Sequence, residues 1–183
     1  MSPLRGVLGA SPAAEIAEFE SIVQAYRPKV FRFALASLRD RDAAETIAQD
    51  CFTKAFRARE RFRGECSLDT WLMQIAVNLI RDHARNRRLQ FWKRTQTEAD
   101  PGRDLQARGH SPESHALLNE QVGAIWRAAA ELPDKQRIVF LLRFVEDMDL
   151  LEIAKVAGMK EGTVKTHLFR ALKSVRERLG AMA

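Results

Sequence analysis

The sequence predicts an all-α protein in which two small helical domains are joined by a flexible linker and the C-terminal domain is a helix-turn-helix. Apolar residues recur at helical spacing through most of the chain, whereas no segment alternates with period two for long enough to be a strand. Residues 95–114 hold prolines, glycines and acids without either period, which is typical of a linker. We therefore assign residues 1–13 to a disordered leader, 14–94 to the first domain, 95–114 to the linker and 115–183 to the second domain.

The first domain is predicted to be built from helices throughout. Apolar spacing over 14–38 predicts a helix, and Pro28 within it predicts a kink or a break between two helices. A second helix is predicted over about Arg41–Arg61. The third, within Gly64–Arg88, is apolar on most sides, and Ser67 is a suitable N-cap for it.

One narrow polar line runs along the third helix. It comprises Gln74, Asn78, Arg81 and Arg85, whose spacing stacks them on one face. A basic tail follows through Arg88 and beyond, where a phenylalanine and a tryptophan interrupt the cations. Cations interleaved with aromatic rings suit a nucleic-acid backbone and unstacked bases. An amphipathic helix end and a membrane-surface patch remain alternative readings of the same residues.

Residues 149–179 have the layout of a helix-turn-helix. Asp149 and Glu152 are spaced as a capping box, and Gly158 stands where the chain must turn sharply. On the second helix, the sector predicted to face the core holds Val164, Leu168, Ala171, Val175 and Leu179. The opposite sector holds Thr166, Phe169, Arg170, Lys173 and Glu177, with Lys165 and Arg176 on its flanks. An exposed phenylalanine among cations suits contact with DNA in the major groove, and an ordinary solvated helix face is the alternative.

Composition narrows the class of protein. A net charge of +6 and a pI near 9.7 are compatible with a polyanionic partner. Cys51 and Cys66 lack the spacing of a disulfide framework or a zinc site. We find neither the apolar core of a signal peptide nor a run of about 18 apolar residues, so we expect a soluble intracellular protein. The four histidines are scattered, and we expect no catalytic residue, cofactor or metal.

Two strings in the chain are highly specific as a pair: TWL..IA.N in the third helix and EIA…G…GTVK in the helix-turn-helix. They belong to the longer segments DAAETIAQDCFTKAFRARERFRGECSLDTWLMQIAVNLIRDHARNRR and ELPDKQRIVFLLRFVEDMDLLEIAKVAGMKEGTVKTHLFRAL. With these segments the chain resembles the extracytoplasmic-function (ECF, group IV) sigma factors of the sigma-70 family, the two-domain initiation subunits of bacterial RNA polymerase. The likeness covers nearly all of residues 15–183 outside the linker, and it implies a region 2-like first domain and a region 4-like second domain.

The resemblance implies roles for individual residues in both domains. Docking on the β′ clamp helices of the polymerase is implied for Glu45, Gln49, Asp50 and Phe52. Binding of the −10 element, as a flipped base and as backbone, is implied for Asn78, Gln74, Arg81, Arg85, Arg87 and Arg88 with the loop residues Gly64, Glu65, Cys66 and Ser67. Recognition of the −35 element is implied for Lys165, Thr166, His167, Phe169, Arg170 and Lys173. Many relatives carry arginine at the position of His167, so a weaker or pH-sensitive contact is expected there.

The resemblance also implies partners. These are core RNA polymerase, through its β′ clamp helices and β flap, promoter DNA, and an anti-sigma factor that holds the protein inactive. It implies a cytoplasmic protein that is not an enzyme, with no cofactor, no small-molecule substrate and no membrane insertion. Two alternatives stay open: a stand-alone helix-turn-helix regulator, and a sigma mimic that titrates an anti-sigma factor.

Overall fold

The computed structural model describes the backbone of residues 12–95 and 116–180 and the side chains of residues 16–87 and 123–180. Residues 1–11 of the predicted leader, and the predicted linker after Thr95, lie outside the described residues. The described part of the chain is built from helices and contains no strand, which confirms the predicted all-α class. It also falls into two compact units, one of residues up to 82 with 155–158 and the other of the remaining residues, and each is described by itself.

The helices follow one another with short connections within each half of the chain. In order they are α1 (Pro12–Leu38), α2 (Arg41–Ala58) with a 3-10 turn at Arg59–Arg61, α3 (Leu68–Thr95), α4 (Ala116–Ala130), α5 (Asp134–Phe144), α6 (Leu150–Ala157) and α7 (Glu161–Gly180).

Helix α1 differs from the prediction in two ways. It begins at Pro12, inside the predicted leader, because proline has the φ of the first helical position and needs no hydrogen-bond donor there. It also continues through Pro28 to Leu38, so of the predicted kink or break, the break between two helices is wrong. Ile22 before the proline and Val30 after it are both buried, while Pro28 itself is exposed. Packing along one common face therefore holds both halves in line and offsets the hydrogen bond that proline cannot donate.

The core of the first unit contains both small and large apolar side chains. Helix α1 packs against α2, where Ala44 and Ala48 are completely buried and allow the helices to approach closely. Leu72 and Met73 of α3 are also buried, and the thiol of Cys51 on α2 donates to the carbonyl of Leu72 over 3.5 Å. An apolar core of this kind fixes the rotation of α3 and so decides which of its side chains face outward.

The core of the second unit is centred on α5. Its residues Val139 and Leu142 are fully buried, and α7 contributes the fully buried Val164 and Ala171. Leu168 and Leu179, also predicted to face this core, are half-buried. The predicted sharp turn is present at Gly158, whose φ of 59° falls in the left-handed region that favours glycine.

A capping box begins α6, as predicted. The carboxylate of Asp149 accepts hydrogen bonds from the backbone N–H groups of Leu151 and Glu152, both at 2.8 Å. The backbone N–H of Asp149 in turn donates to the carboxylate of Glu152 over 2.9 Å. These bonds satisfy N–H groups that have no partner within the helix.

Replacing Asp149 by alanine is expected to lower the free energy of unfolding by about 1 kcal/mol, because the backbone N–H groups lose their acceptor. Asp149→Asn keeps a side-chain acceptor and should stay close to the wild type. Urea unfolding of the full chain, followed by circular dichroism, measures both. Equal destabilisation by alanine and asparagine would contradict the capping role.

Candidate nucleic-acid interface

The polar line predicted on α3 is present on that helix. Gln74, Asn78 and Arg85 are exposed and Arg81 is half-buried. The intervening Val77 is completely buried. The core therefore holds the helix so that the amides and guanidinium groups lie along one strip. Arg87 is exposed too, whereas the side chain of Arg88 lies outside the described residues.

The start of α3 is fixed by local hydrogen bonds. The hydroxyl of Ser67 accepts from the backbone N–H of Thr70 at 3.0 Å, which confirms Ser67 as the N-cap. Gly64, three residues before it, has a φ of 73°, a backbone conformation that residues other than glycine rarely adopt. Gly64, Glu65 and Ser67 are exposed and Cys66 is half-buried. These four residues thus form an accessible loop immediately before the polar strip.

An ion pair ties α3 to α1 in the first unit. The ammonium of Lys29 lies 2.8 Å from the carboxylate of Asp69, in the first turn of α3. Both side chains are more than two-thirds buried, with exposures of 28% and 29%. Partial burial limits solvent screening, so this contact restrains the helix start more than a surface pair would.

A cleft of about 500 Å³ opens beside the strip, between the end of α2 and the first half of α3. Its lining residues are Lys54, Arg57, Ala58, Arg61, Trp71, Ile75 and Asn78. The indole and the isoleucine supply apolar wall, the amide of Asn78 can both donate and accept, and the three cations lie on the α2 side. This combination suits a planar heterocycle joined to an anionic group.

The three cations of the cleft were missed by the sequence analysis. Lys54, Arg57 and Arg61 are all exposed, and their spacing places them along one face of α2 and the turn that follows it. The spacing alone could therefore have indicated a basic face on α2. It could not have shown that this face lies beside Asn78, because that depends on how α2 packs against α3.

Helix α2 presents the predicted polymerase-docking residues unevenly. Glu45, Gln49 and Asp50 are exposed, and Glu45 forms an ion pair with Arg27 of α1. Phe52 is only 5% exposed and belongs to the core. Its ring therefore positions the helix and is not available for contact with another surface.

On α7 the predicted recognition residues project from the second unit. Lys165, Thr166, Phe169, Arg170 and Lys173 are exposed, and Phe169 is 70% exposed, more than any other large apolar side chain among the described residues. Two of the cations carry internal ion pairs, Lys165 with Glu161 at 2.6 Å and Lys173 with Glu177 at 3.9 Å. His167 is half-buried on the flank of this face.

The two cysteines show no sign of activation. Burial raises the pKa of the Cys51 thiol to about 12. Burial also raises the pKa of Cys66 above its ordinary value. Reactive cysteines have a lowered pKa, so neither thiol has the electrostatic surroundings of a redox site.

The described part of the chain contains no group of three or more His, Cys, Asp or Glu side chains placed to hold a metal ion. Within that part, none of the helices has the length and apolar character needed to cross a bilayer.

The chain matches two family models. Residues 22–90 match Sigma-70 region 2, and residues 123–175 match Sigma-70 region 4. The first match contains the α3 strip and the cleft, and the second contains the recognition face of α7.

Similar proteins span nearly the whole chain. The RNA polymerase sigma-H factor of Pseudomonas aeruginosa is 31% identical over 165 residues, which cover 88% of this chain and 86% of that protein. The ECF RNA polymerase sigma factor SigW of Bacillus subtilis is 29% identical over 165 residues, covering 88% of each chain.

Two solved structures share the fold. The sigma factor RpoE of Bartonella quintana, in complex with the anti-sigma factor NepR, aligns with a TM-score of 0.69 at 21% identity and covers 89% of this chain and 97% of its own. CnrH in complex with the cytosolic domain of CnrY aligns with a TM-score of 0.66 at 17% identity, covering 99% and 96%.

Proposed function

We propose a function from one premise: the chain belongs to the sigma-70 family of RNA polymerase sigma factors and, within it, to the ECF sigma factors. It is an alternative sigma factor, a transcription initiation factor that binds core RNA polymerase and promoter DNA. We further assign it to group IV and to the cytoplasm. We also propose that it is not an enzyme, because the chemistry of RNA synthesis belongs to the polymerase.

The observation that carries the mechanism is the exposed Asn78 at the edge of the cleft on the first unit. We assign this cleft to an unstacked base of the non-template strand at the −10 element. Opening a duplex costs a few kcal/mol for each base removed from the stack, and a shaped pocket offsets part of that cost. The amide of Asn78 suits the polar edge of a base, and the Trp71 ring supplies apolar wall.

We assign contacts with backbone phosphates to two sets of cations. One set, Lys54, Arg57 and Arg61 at the end of α2, lines the cleft. The other is the set that the resemblance implies: Arg81, Arg85 and Arg87 on α3, with Arg88, whose side chain lies outside the described residues. Gln74 and the loop Gly64, Glu65, Cys66 and Ser67 complete the −10 contact in this proposal. Phosphate contacts position the strand, whereas the cleft reads the base.

Polymerase binding is assigned to the outer face of α2 in the proposal. Glu45, Gln49 and Asp50 provide exposed carboxylate and amide groups for the β′ clamp helices. Phe52 contributes indirectly, since its buried ring holds the helix against the core. We assign the contact with the β flap to the second unit, which exposes the large apolar side chains of Phe144 and Leu151.

The −35 element is assigned to the outer face of α7 in the major groove. Lys165, Thr166, Phe169, Arg170 and Lys173 present cations, a hydroxyl and an aromatic ring in one sector. Arginine and lysine recognise guanine edges and phosphates, and an apolar ring suits a thymine methyl group. The region threaded into the polymerase between the two DNA contacts is residues 95–114, the predicted linker. The domain boundaries given above remain part of the proposal.

An anti-sigma factor is the proposed regulator, supported by the two solved relatives named as complexes above. A sigma mimic would not need an exposed Phe169 among cations, and a stand-alone regulator would not need the α3 strip. Both alternatives are therefore less well supported by the side chains than a promoter-specificity subunit is.

Transcription with purified core polymerase, with and without the full chain, tests this function. RNA 5′ ends are mapped over a library of genomic fragments. We expect new start sites, preceded by shared −35 and −10 sequences, only when the chain is added. Sequence-specific DNA binding by the chain alone, without new start sites, would favour the stand-alone regulator instead.

A further inference from the structure

The cleft on the first unit has two walls of different chemistry. On the α3 side, Trp71 and Ile75 supply half-buried apolar surface and Asn78 supplies an exposed amide. On the α2 side the wall is basic, with three exposed cations. A ligand in this cleft therefore meets apolar surface and hydrogen-bonding groups on one side and positive charge on the other.

The three cations of the cleft have no counter-charge of their own. Among the described residues, no hydrogen bond or ion pair engages Lys54, Arg57 or Arg61. Arg59, between them in the chain, is engaged, since its guanidinium lies 4.3 Å from the ring centroid of Phe56 and donates to a backbone carbonyl over 3.0 Å. Three charges are thus left open to the cleft, where an anionic ligand would supply the missing partner.

The spacing of the cations indicates the size of that anion. Lys54, Arg57 and Arg61 follow one another at i, i+3 and i+7, so they extend along one face over about 10 Å. A single phosphate meets only part of this length, whereas a chain of three phosphates extends along it and carries enough charge for all three cations. A base joined to that chain through a sugar then faces the α3 wall.

We propose that the cleft is also a binding site for a free nucleoside 5′-triphosphate, which occupies it when no promoter DNA is bound. This inference rests on the proposed function, because it adds a small-molecule regulator to the same cleft. The triphosphate contacts the cations of α2, and the base takes the place of the unstacked −10 base beside Asn78. Nucleotide and promoter strand therefore exclude each other, and a rise in nucleotide concentration opposes capture of the −10 base.

The same pocket would read the base of the nucleotide and the base of the promoter. The amide of Asn78 both donates and accepts, so it distinguishes between base edges, whereas the phosphates add affinity that is common to all four nucleotides. We therefore expect the four triphosphates to bind in the order in which the cleft prefers the four bases at the captured −10 position.

The test uses the full chain without polymerase, because the polymerase itself binds nucleoside triphosphates. Each of the four triphosphates is titrated to about 1 mM by isothermal titration calorimetry. The nucleoside without phosphates and inorganic tripolyphosphate serve as partial ligands. We expect each partial ligand to bind more weakly than the complete nucleotide by about tenfold or more, since it makes only one of the two kinds of contact.

Substitutions at exposed positions separate the two parts of the ligand. Arg57→Gln and Arg61→Gln should each weaken binding by roughly fivefold, because each removes one charged contact with phosphate. Asn78→Ala should bring the four affinities together without abolishing binding. Arg32→Gln removes an exposed cation of α1 that does not line the cleft, and it should bind as the wild type does.

Exclusion is tested with holoenzyme on a single non-template strand, which the polymerase cannot copy. The strand carries 2-aminopurine at the captured position, and its fluorescence reports capture. The triphosphate that binds the free chain best should reduce this signal more than the other three do. Equal reduction by all four, or no reduction, would overturn the exclusion.

The remaining outcomes decide between the nucleotide site and the proposed function. Tripolyphosphate that binds as tightly as the nucleotide, or Arg57→Gln and Arg61→Gln variants with wild-type affinity, would overturn the nucleotide site. A chain that directs new start sites but binds no triphosphate overturns this inference alone. A chain that binds the triphosphate in the cleft but directs no new start sites supports the nucleotide site and contradicts the proposed function.

Discussion

Replacing Asn78 by alanine is expected to slow promoter opening by roughly tenfold or more while leaving the affinity for core polymerase nearly unchanged. In the open complex the edge of the captured base is buried, and a buried hydrogen-bonding group left without its partner costs about 1–3 kcal/mol. The middle of this range, about 2 kcal/mol, corresponds to more than tenfold. Asn78 is exposed at the cleft and its neighbour Val77 carries the packing, so the substitution should not unfold α3. Open-complex formation is measured by permanganate footprinting, and polymerase binding by co-elution.

Two comparisons make the Asn78 result specific. Gln24→Ala removes an exposed amide on α1 that does not line the cleft, and it should open promoters at the wild-type rate. On a template already melted at −10, the defect of Asn78→Ala should depend on which base occupies the captured position. An equal reduction whatever that base is would mean that the pocket assignment is wrong.

Replacing Lys165 and Arg170 by alanine is expected to reduce −35-dependent transcription by roughly fivefold or more for each residue. A good contact to a base edge is worth about 1–3 kcal/mol, and a lost phosphate contact weakens binding in addition. Both side chains are exposed on α7, so their removal leaves its buried face intact. Lys165 also loses its 2.6 Å pair with Glu161, an exposed pair that contributes little to stability.

The controls for this second prediction separate recognition from folding. On a promoter whose −35 element is scrambled, the variants should transcribe nearly as well as the wild type, because the contact is already absent. Arg127→Ala removes another exposed cation of the same unit, on α4, and should have little effect on either promoter. Equal losses on both promoters would indicate misfolding of the second unit.

Features that depend on neighbours in the chain were predictable from the sequence. Helical spacing identified the polar strip of α3 and the exposed sector of α7, because a helix converts spacing directly into angle. Ser67, Asp149 and Gly158 were predictable for a similar reason, since caps and tight turns are made within a few residues.

Features that depend on packing were predicted less well. The rule that proline interrupts a helix failed at Pro28, because contacts on both sides of it hold α1 continuous. The resemblance implied a docking role for Phe52, whereas the structure buries its ring in the core. Arg57 and Arg61 could not be assigned to the site from the sequence, because only the fold brings them into one cleft with Asn78.

The central claim is that the cleft beside Asn78 holds one unstacked base of the non-template strand. Single substitutions of 2-aminopurine through the −10 element, read by fluorescence on addition of holoenzyme, test it most directly. We expect a strong increase at one position in the wild type and its loss in Asn78→Ala, with Gln24→Ala behaving as the wild type. The claim is contradicted if no position responds, or if the same position responds equally in Asn78→Ala.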